Sequence, residues 1–161
     1  MSQQGVASIG IPPRRIKAPD PLLLERLAET GFLATEFGMH ERAEQIFICL
    51  RQLRPGKPSP LIALAMVHAR RGQLDQAIDE LNALLETHPD CEIGRAVLGT
   101  MLVHARRPGA LELFEKIIAD GADAGAISIA NCCVELARKQ EAPPESDASS
   151  FAYFRHYNVS P

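Results

Sequence analysis

Two stretches of this chain superimpose at a fixed offset of 34 residues. "LAETGFLATEFGMHERAEQIFICLRQLRP", ending at Pro55, sits above "LIALAMVHARRGQLDQAIDELNALLETHP", ending at Pro89. Gly38 then falls on Gly72, Ala43 on Ala77, Phe47 on Leu81, Leu50 on Leu84 and Pro55 on Pro89. Recurrence at this period means that one small supersecondary unit is used again and again, and few folds obey it.

Each unit reads as a helix, a turn and a second helix. Gly38 and Gly72 release the first helix, and the small Ala43 and Ala77 let two helix backbones approach closely. Phe47 and Leu81 fill the seam, and Pro55 and Pro89 stop the second helix. One such pair cannot bury its own apolar face, so successive pairs must stack.

The helical pattern runs on with short breaks, giving helices at about 20–37, 40–54, 59–71, 74–87, 91–106, 109–120 and 124–140, without a convincing strand. The expected fold class is therefore all-α. The chain holds no Trp and only 5% aromatic residues, so its core must come from Leu, Ile and Ala, which suits close-packed helices.

Asp20 and Pro21 form a helix start, an N-cap candidate followed by proline at the first helical position. A third copy runs through "GRAVLGTMLVHARRPGALELFEKII", with Leu98-Gly99 matching Leu64-Ala65. Its turn is irregular, because Ala110 arrives one residue early and Pro108 intrudes. Residues 124–140 would close the array, with Arg138 and Lys139 near the negative end of the helix dipole. Residues 1–19 read as a flexible leader, 20–141 as the helical domain, and 142–161 as a linker and a tail carrying Phe151, Tyr153, Phe154 and Tyr157.

Several function classes lack support. A net charge of -3 argues against a general polyanion binder, so no nucleic acid is expected. No segment has the roughly 18 to 20 apolar residues needed to cross a bilayer, so no membrane partner and an intracellular, soluble protein are expected. The motifs H-E-x-x-H, G-x-S-x-G and a Gly-rich loop between strand and helix are missing, so neither catalytic residues nor a cofactor are expected. "GADAGA" from Gly121 to Ala126 fits a turn better than a phosphate cradle, and Asp79-Glu80 fits a solvated helix face. Cys49, Cys91, Cys132 and Cys133 lack metal-ligand spacing and are expected to be buried or half-buried free thiols, without metal.

The pattern resembles the tetratricopeptide repeat. Gly31, Ala43, Phe47, Leu50 and Pro55 fit it in the first copy, and Ala65, Ala77, Leu81, Leu84 and Pro89 in the second. The resemblance implies an array of about three helix-turn-helix repeats plus a capping helix, with the first helix of each pair lining a concave groove. Carried over residue by residue, the groove positions are Glu25, Ala28, Phe32, Thr35 and Glu36, then Ser59, Ile62, Met66, Ala69 and Arg70, then Ile93, Ala96, Thr100, Val103 and His104. The partner-binding residues expected from these are Phe32, Ile62, Met66, Arg70, Thr100, Val103 and His104. So apolar a lining suits an apolar helix or peptide, with Met66 adapting to an imperfect fit.

Over about residues 22–137 the chain also looks like the small bacterial chaperones and accessory proteins of type III secretion. That resemblance implies a cytoplasmic bacterial chaperone that masks an aggregation-prone apolar segment of a secreted client, a needle subunit or a translocator, before export. A homodimer or a second co-chaperone would then be a further partner. The alternative is a general repeat scaffold for assembling a cytoplasmic protein complex.

One motif crosses the period. "VHARR" occurs at Val67 to Arg71 and at Val103 to Arg107, 36 residues apart rather than 34. Two extra residues are about 200° of helix, so the copies face different ways and a shared symmetrical site is not expected. In both, the arginines should end a first helix and offset its dipole, with Arg70 and His104 turned to the groove.

Overall fold

In the computed structural model, residues 19–142 are described, and they form seven helices. These are α1 (Pro21–Glu36), α2 (His40–Leu53), α3 (Ser59–Arg70), α4 (Leu74–Thr87), α5 (Glu92–His104), α6 (Ala110–Asp120) and α7 (Ala124–Glu141). Each begins and ends within two residues of its expected place. The leader and the aromatic tail lie outside the described residues, apart from Pro19 and Ala142.

Asp20 caps α1 as its sequence suggests, its carboxylate accepting from the Leu22 N–H at 3.0 Å, with Pro21 behind it. The first helices end in step with the period, at Glu36, Arg70 and His104. Two residues on, each chain turn passes through the left-handed region: Gly38 (φ 73°), Gly72 (φ 83°) and Arg106 (φ 53°). Glycine takes that conformation freely, whereas an L side chain is strained there. The irregularity of the third turn is thus of two kinds. Arginine replaces glycine at the reversal, and Pro108-Gly109 replaces the first turn of the second helix, so α6 has 11 residues where α2 and α4 have 14.

The pairs α1–α2, α3–α4 and α5–α6 stack in chain order, and α7 packs on α5 and α6. Three apolar clusters result, and each spans a pair plus the first helix of the next. Ala43, Phe47 and Leu50 meet Leu24 and Ala34 of α1 and Ala63, Leu64 and Val67 of α3. Ala77, Leu81 and Leu84 meet Ile62 and Ala65 of α3 and Val97, Leu98 and Met101 of α5. Ala110, Phe114 and Ile117 meet Ala96 and Val103 of α5 and four small or branched residues of α7, from Ala126 to Ala137. Helix α7 is therefore required: it supplies the first-helix wall that the third pair would otherwise lack.

The seam within a pair is a bulky side chain seated over a residue with little or no side chain. A Cβ placed on Gly31 would lie 2.6 Å from the Phe47 ring, and one on Gly99 would lie 2.6 Å from the Phe114 ring. In the middle pair Leu81 and Ala65, both fully buried in one cluster, take the same two positions.

The cysteines depart in part from expectation. Cys91 and Cys133 are half-buried, but Cys49 and Cys132 are exposed, because the core-facing stripes of α2 and α7 pass through Phe47 and Leu50 and through Ala130 and Val134 instead.

Two substitutions in the third pair should move stability in opposite directions. Gly99→Ala overpacks a fully buried phenylalanine, and the usual cost of about 1–3 kcal/mol exceeds the roughly 1 kcal/mol gained by removing a helical glycine. Arg106→Gly relieves the left-handed arginine and should gain about 0.5–1 kcal/mol. Urea midpoints at unchanged slope read both.

Candidate functional site

The first helices α1, α3 and α5 lie side by side, and their C-terminal halves enclose a groove of about 600 Å³. Its apolar surface comes from Phe32, Met66, Ala69, Leu74 and Met101, and its polar groups are Thr35, Glu36, Arg70, Thr100 and His104. Phe32 is 43% exposed although it carries a large apolar ring, and its other side rests on the buried Phe47 at 5.1 Å between centroids. The ring is fixed from behind and presented to the groove.

Polar groups at this site are disposed at its rim. Arg70 donates to the Glu36 carboxylate, tying the end of α3 to the end of α1, and both side chains stay more than half exposed. Such a pair contributes little to stability and remains free to exchange partners. The hydroxyls nearest the floor are satisfied within their own helices, Thr35 donating to Gly31 O at 2.9 Å and Thr100 to Ala96 O at 3.0 Å. The floor therefore offers methyl, methylene, sulfur and aromatic surface with few unsatisfied polar atoms, which suits an apolar guest.

Five of the seven expected partner-binding residues, Phe32, Met66, Arg70, Thr100 and His104, meet at this groove. Ile62 and Val103 do not. Ile62 is 6% exposed and packs into the α3–α4–α5 cluster, and Val103, also 6% exposed, packs against α6 and α7. Leu74 and Met101 line the groove without having been expected there. Leu74 opens a second helix, and Met101 follows Thr100 on the same turn of α5, so the spacing rule for first-helix positions reaches neither.

The two "VHARR" copies have separate roles. His104 is exposed at the groove, whereas His68 is buried at 9% exposure. His68 shares a hydrogen between Nδ1 and Glu80 Oε2 at 2.8 Å and has Glu44 Oε1 at 3.7 Å from Nε2. Gln76 holds the other Glu80 oxygen at 2.9 Å, and Arg71 holds Glu44 at 2.7 Å. This network ties α3 to α4 and to α2 of the preceding pair. Asp79 and Glu80 are thus not a matched solvated pair, since Glu80 turns inward to the histidine. Around it, a second cavity of about 490 Å³ lies between α2 and α4 over α3, with Ile48, Leu61, Leu64 and Leu84 in its lining.

"GADAGA" is a turn. Gly121 ends α6, Asp123 caps α7, and the N–H groups of Ala122 and Asp123 donate to the Glu92 carboxylate at 2.8 Å each. The donors a phosphate would need are already used. Among the described residues no group of three or more His, Cys, Asp and Glu side chains could hold a metal ion, and no helix is long and apolar enough to cross a membrane.

Comparison with known proteins places this geometry. Residues 34–99 match the tetratricopeptide repeat. No curated protein matches the chain by sequence. Among solved structures, PcrH from Pseudomonas aeruginosa is similar in fold, with a TM-score of 0.62 and 17% identity over 80% of this chain and 99% of that one. The Sgt2 TPR domain from Aspergillus fumigatus is similar at a TM-score of 0.52 and 21% identity, over 81% of this chain and 90% of that one.

The different burial of two residues one helical turn apart can be tested. Met66→Asp places a charge on a half-buried side chain at the open groove, where it keeps access to water, and should cost only about 1 kcal/mol as read by urea unfolding. Ile62→Asp buries an unpaired carboxylate and should cost about 3–5 kcal/mol. Equal effects would show that Ile62 and Met66 share one environment.

Proposed function

We propose that this tetratricopeptide-repeat protein is a chaperone of type III secretion, whose concave groove masks an aggregation-prone apolar segment of a needle subunit or translocator before export. One observation carries the proposal: Phe32, Met66 and Met101 form an apolar floor under a rim of exchangeable charge, with the bulk of the hydrogen-bonding capacity at the edge. The likeness of the sequence to small secretion chaperones supports it, as does a fold shared with nearly all of PcrH over 80% of this chain.

Masking works by burial. A client helix of a few turns entering the groove would remove several hundred Å² from water, at roughly 25 cal/mol per Å² before the costs of association. The methionines suit a protein that must hold segments of differing shape, because unbranched thioether chains repack at small cost. Arg70 and His104 set register at the rim: a client carboxylate there can take Arg70 from Glu36. No bond is made or broken in this task, and the residues act by contact alone.

A second copy or a co-chaperone would meet the outer face of α1 and its C-terminal end, where Leu22, Leu23, Leu33 and Phe37 are 53–76% exposed and no other helix among the described residues covers them. Sedimentation of a Leu33→Asp, Phe37→Ser variant checks this. It should be monomeric at concentrations where the parent chain, alone or with its co-chaperone, is not.

Co-expression with an insoluble needle subunit or translocator should yield a soluble complex, and Met66→Asp should reduce the recovered client at least several-fold while the repeat stays folded. Undiminished capture by that variant would move the client off the concave face. Stable complexes with folded cytoplasmic proteins, and none with secreted ones, would instead identify a scaffold.

A further inference from the structure

The aromatic segment from Phe151 to Tyr157 is the strongest sequence motif outside the described residues, and the described chain ends where that motif can be used. Gln140 Nε2 donates to Val103 O at 2.9 Å, and Glu141 Oε1 accepts from the Leu111 N–H at 3.0 Å. The chain therefore leaves α7 beside the C-terminal end of α5. The next residue of α5, His104, lines the groove, and the groove is built from the C-terminal halves of α1, α3 and α5. Exit and groove lie at the same edge of the array.

Length permits the contact. Eight residues lie between Ala142 and Phe151, and the nine steps from one to the other span up to about 30 Å when extended. Packed helices lie about 8–10 Å apart, so α3 at the groove floor is about 20 Å from α7.

Chemistry favours it. The connector carries Glu145 and Asp147, and the edge it must cross carries His104 and the exposed Arg106. Beyond that edge, Phe32, Met66 and Met101 offer the thioether and ring surface on which aromatic side chains settle well. Phe151, Tyr153, Phe154 and Tyr157 are half of the eight aromatic residues of the chain, gathered within seven positions. A short tether also raises the local concentration of such a segment far above that of a free competitor.

We propose that the segment 151–157 occupies the concave groove of its own chain and is displaced by the client. The inference rests on the groove being the binding site, and it adds a regulation: the empty chaperone covers its own apolar floor, and only a segment that competes with the tail is held.

The chain contains no Trp, and its only two tyrosines are Tyr153 and Tyr157, so tyrosine emission reports the tail alone. In the full chain, acrylamide should quench this emission several-fold less than in a synthetic peptide of residues 143–161, at every protein concentration. Met66→Asp, and independently Thr100→Arg, should restore peptide-like quenching while far-ultraviolet dichroism stays native. A full chain with Phe151, Tyr153, Phe154 and Tyr157 all changed to Ala should bind that peptide about tenfold more tightly than the parent, whose groove is filled. Quenching equal to the peptide's, protection that grows with concentration as a tail seated in a second copy would give, or protection unmoved by both groove variants would each overturn the proposal. No client is present in these measurements. Free tyrosines in a chain that still solubilises its client would sink the tail contact alone, and protected tyrosines in a chain that captures no client would sink the chaperone role alone.

Discussion

Everything in this array depends on one contact made three times, a large side chain on the second helix of a pair seated where the first helix has almost none. Phe47 over Gly31, Leu81 with Ala65 and Phe114 over Gly99 let the paired backbones approach closely. Close approach then brings the next first helix within reach of the same core. Each cluster accordingly runs through a pair and on into the next first helix, and no pair is complete until its successor arrives. Stacking neighbours is the general solution for units that cannot bury their own apolar face. It also explains the role of α7, the last helix among the described residues, whose Ala126, Ala130, Val134 and Ala137 give the third pair its first-helix wall.

The groove is a by-product of that seam. With the bulky residues drawn into the pair interiors, the first helices are left side by side with Phe32 and Met66 on the open side and the buried Met101 in the floor beneath them. Residues a turn apart then have different fates according to depth along the stack. Ile62 and Met66 differ by four positions and so share a helix face to within about 40°. The α4 and α5 side chains close over Ile62, while the surface at Met66 stays open.

That difference separates what the sequence made legible from what it hid. Glycines, prolines and the 34-residue period locate all seven helices, because each marks a backbone event that is local to a few residues. The groove's first-helix positions are legible for the same reason, which is why Phe32, Met66, Arg70, Thr100 and His104 fall together. Depth is not local. Ile62 and Val103 satisfy the groove spacing, and only the packing of α5 on α3 and of α7 on α5 decides that they are core. The left-handed arginine at Arg106 was hidden differently: the period held at the reversal while the expected glycine was missing, so the irregularity looked like an error of spacing.

The duplicated "VHARR" joins these threads. In both copies the second arginine lies in the helix-ending turn, but the histidines follow the array rather than the motif. His68 turns inward, where Glu80 and Glu44 from two neighbouring helices need a partner, and His104 turns outward to the groove. A slip of two residues against the period is enough, since about 200° of helix exchanges the buried face for the open one. Identical letters have thus been assigned one structural and one surface role by their phase in the repeat. In a stacked array, phase carries more information about a side chain than the motif in which it is written.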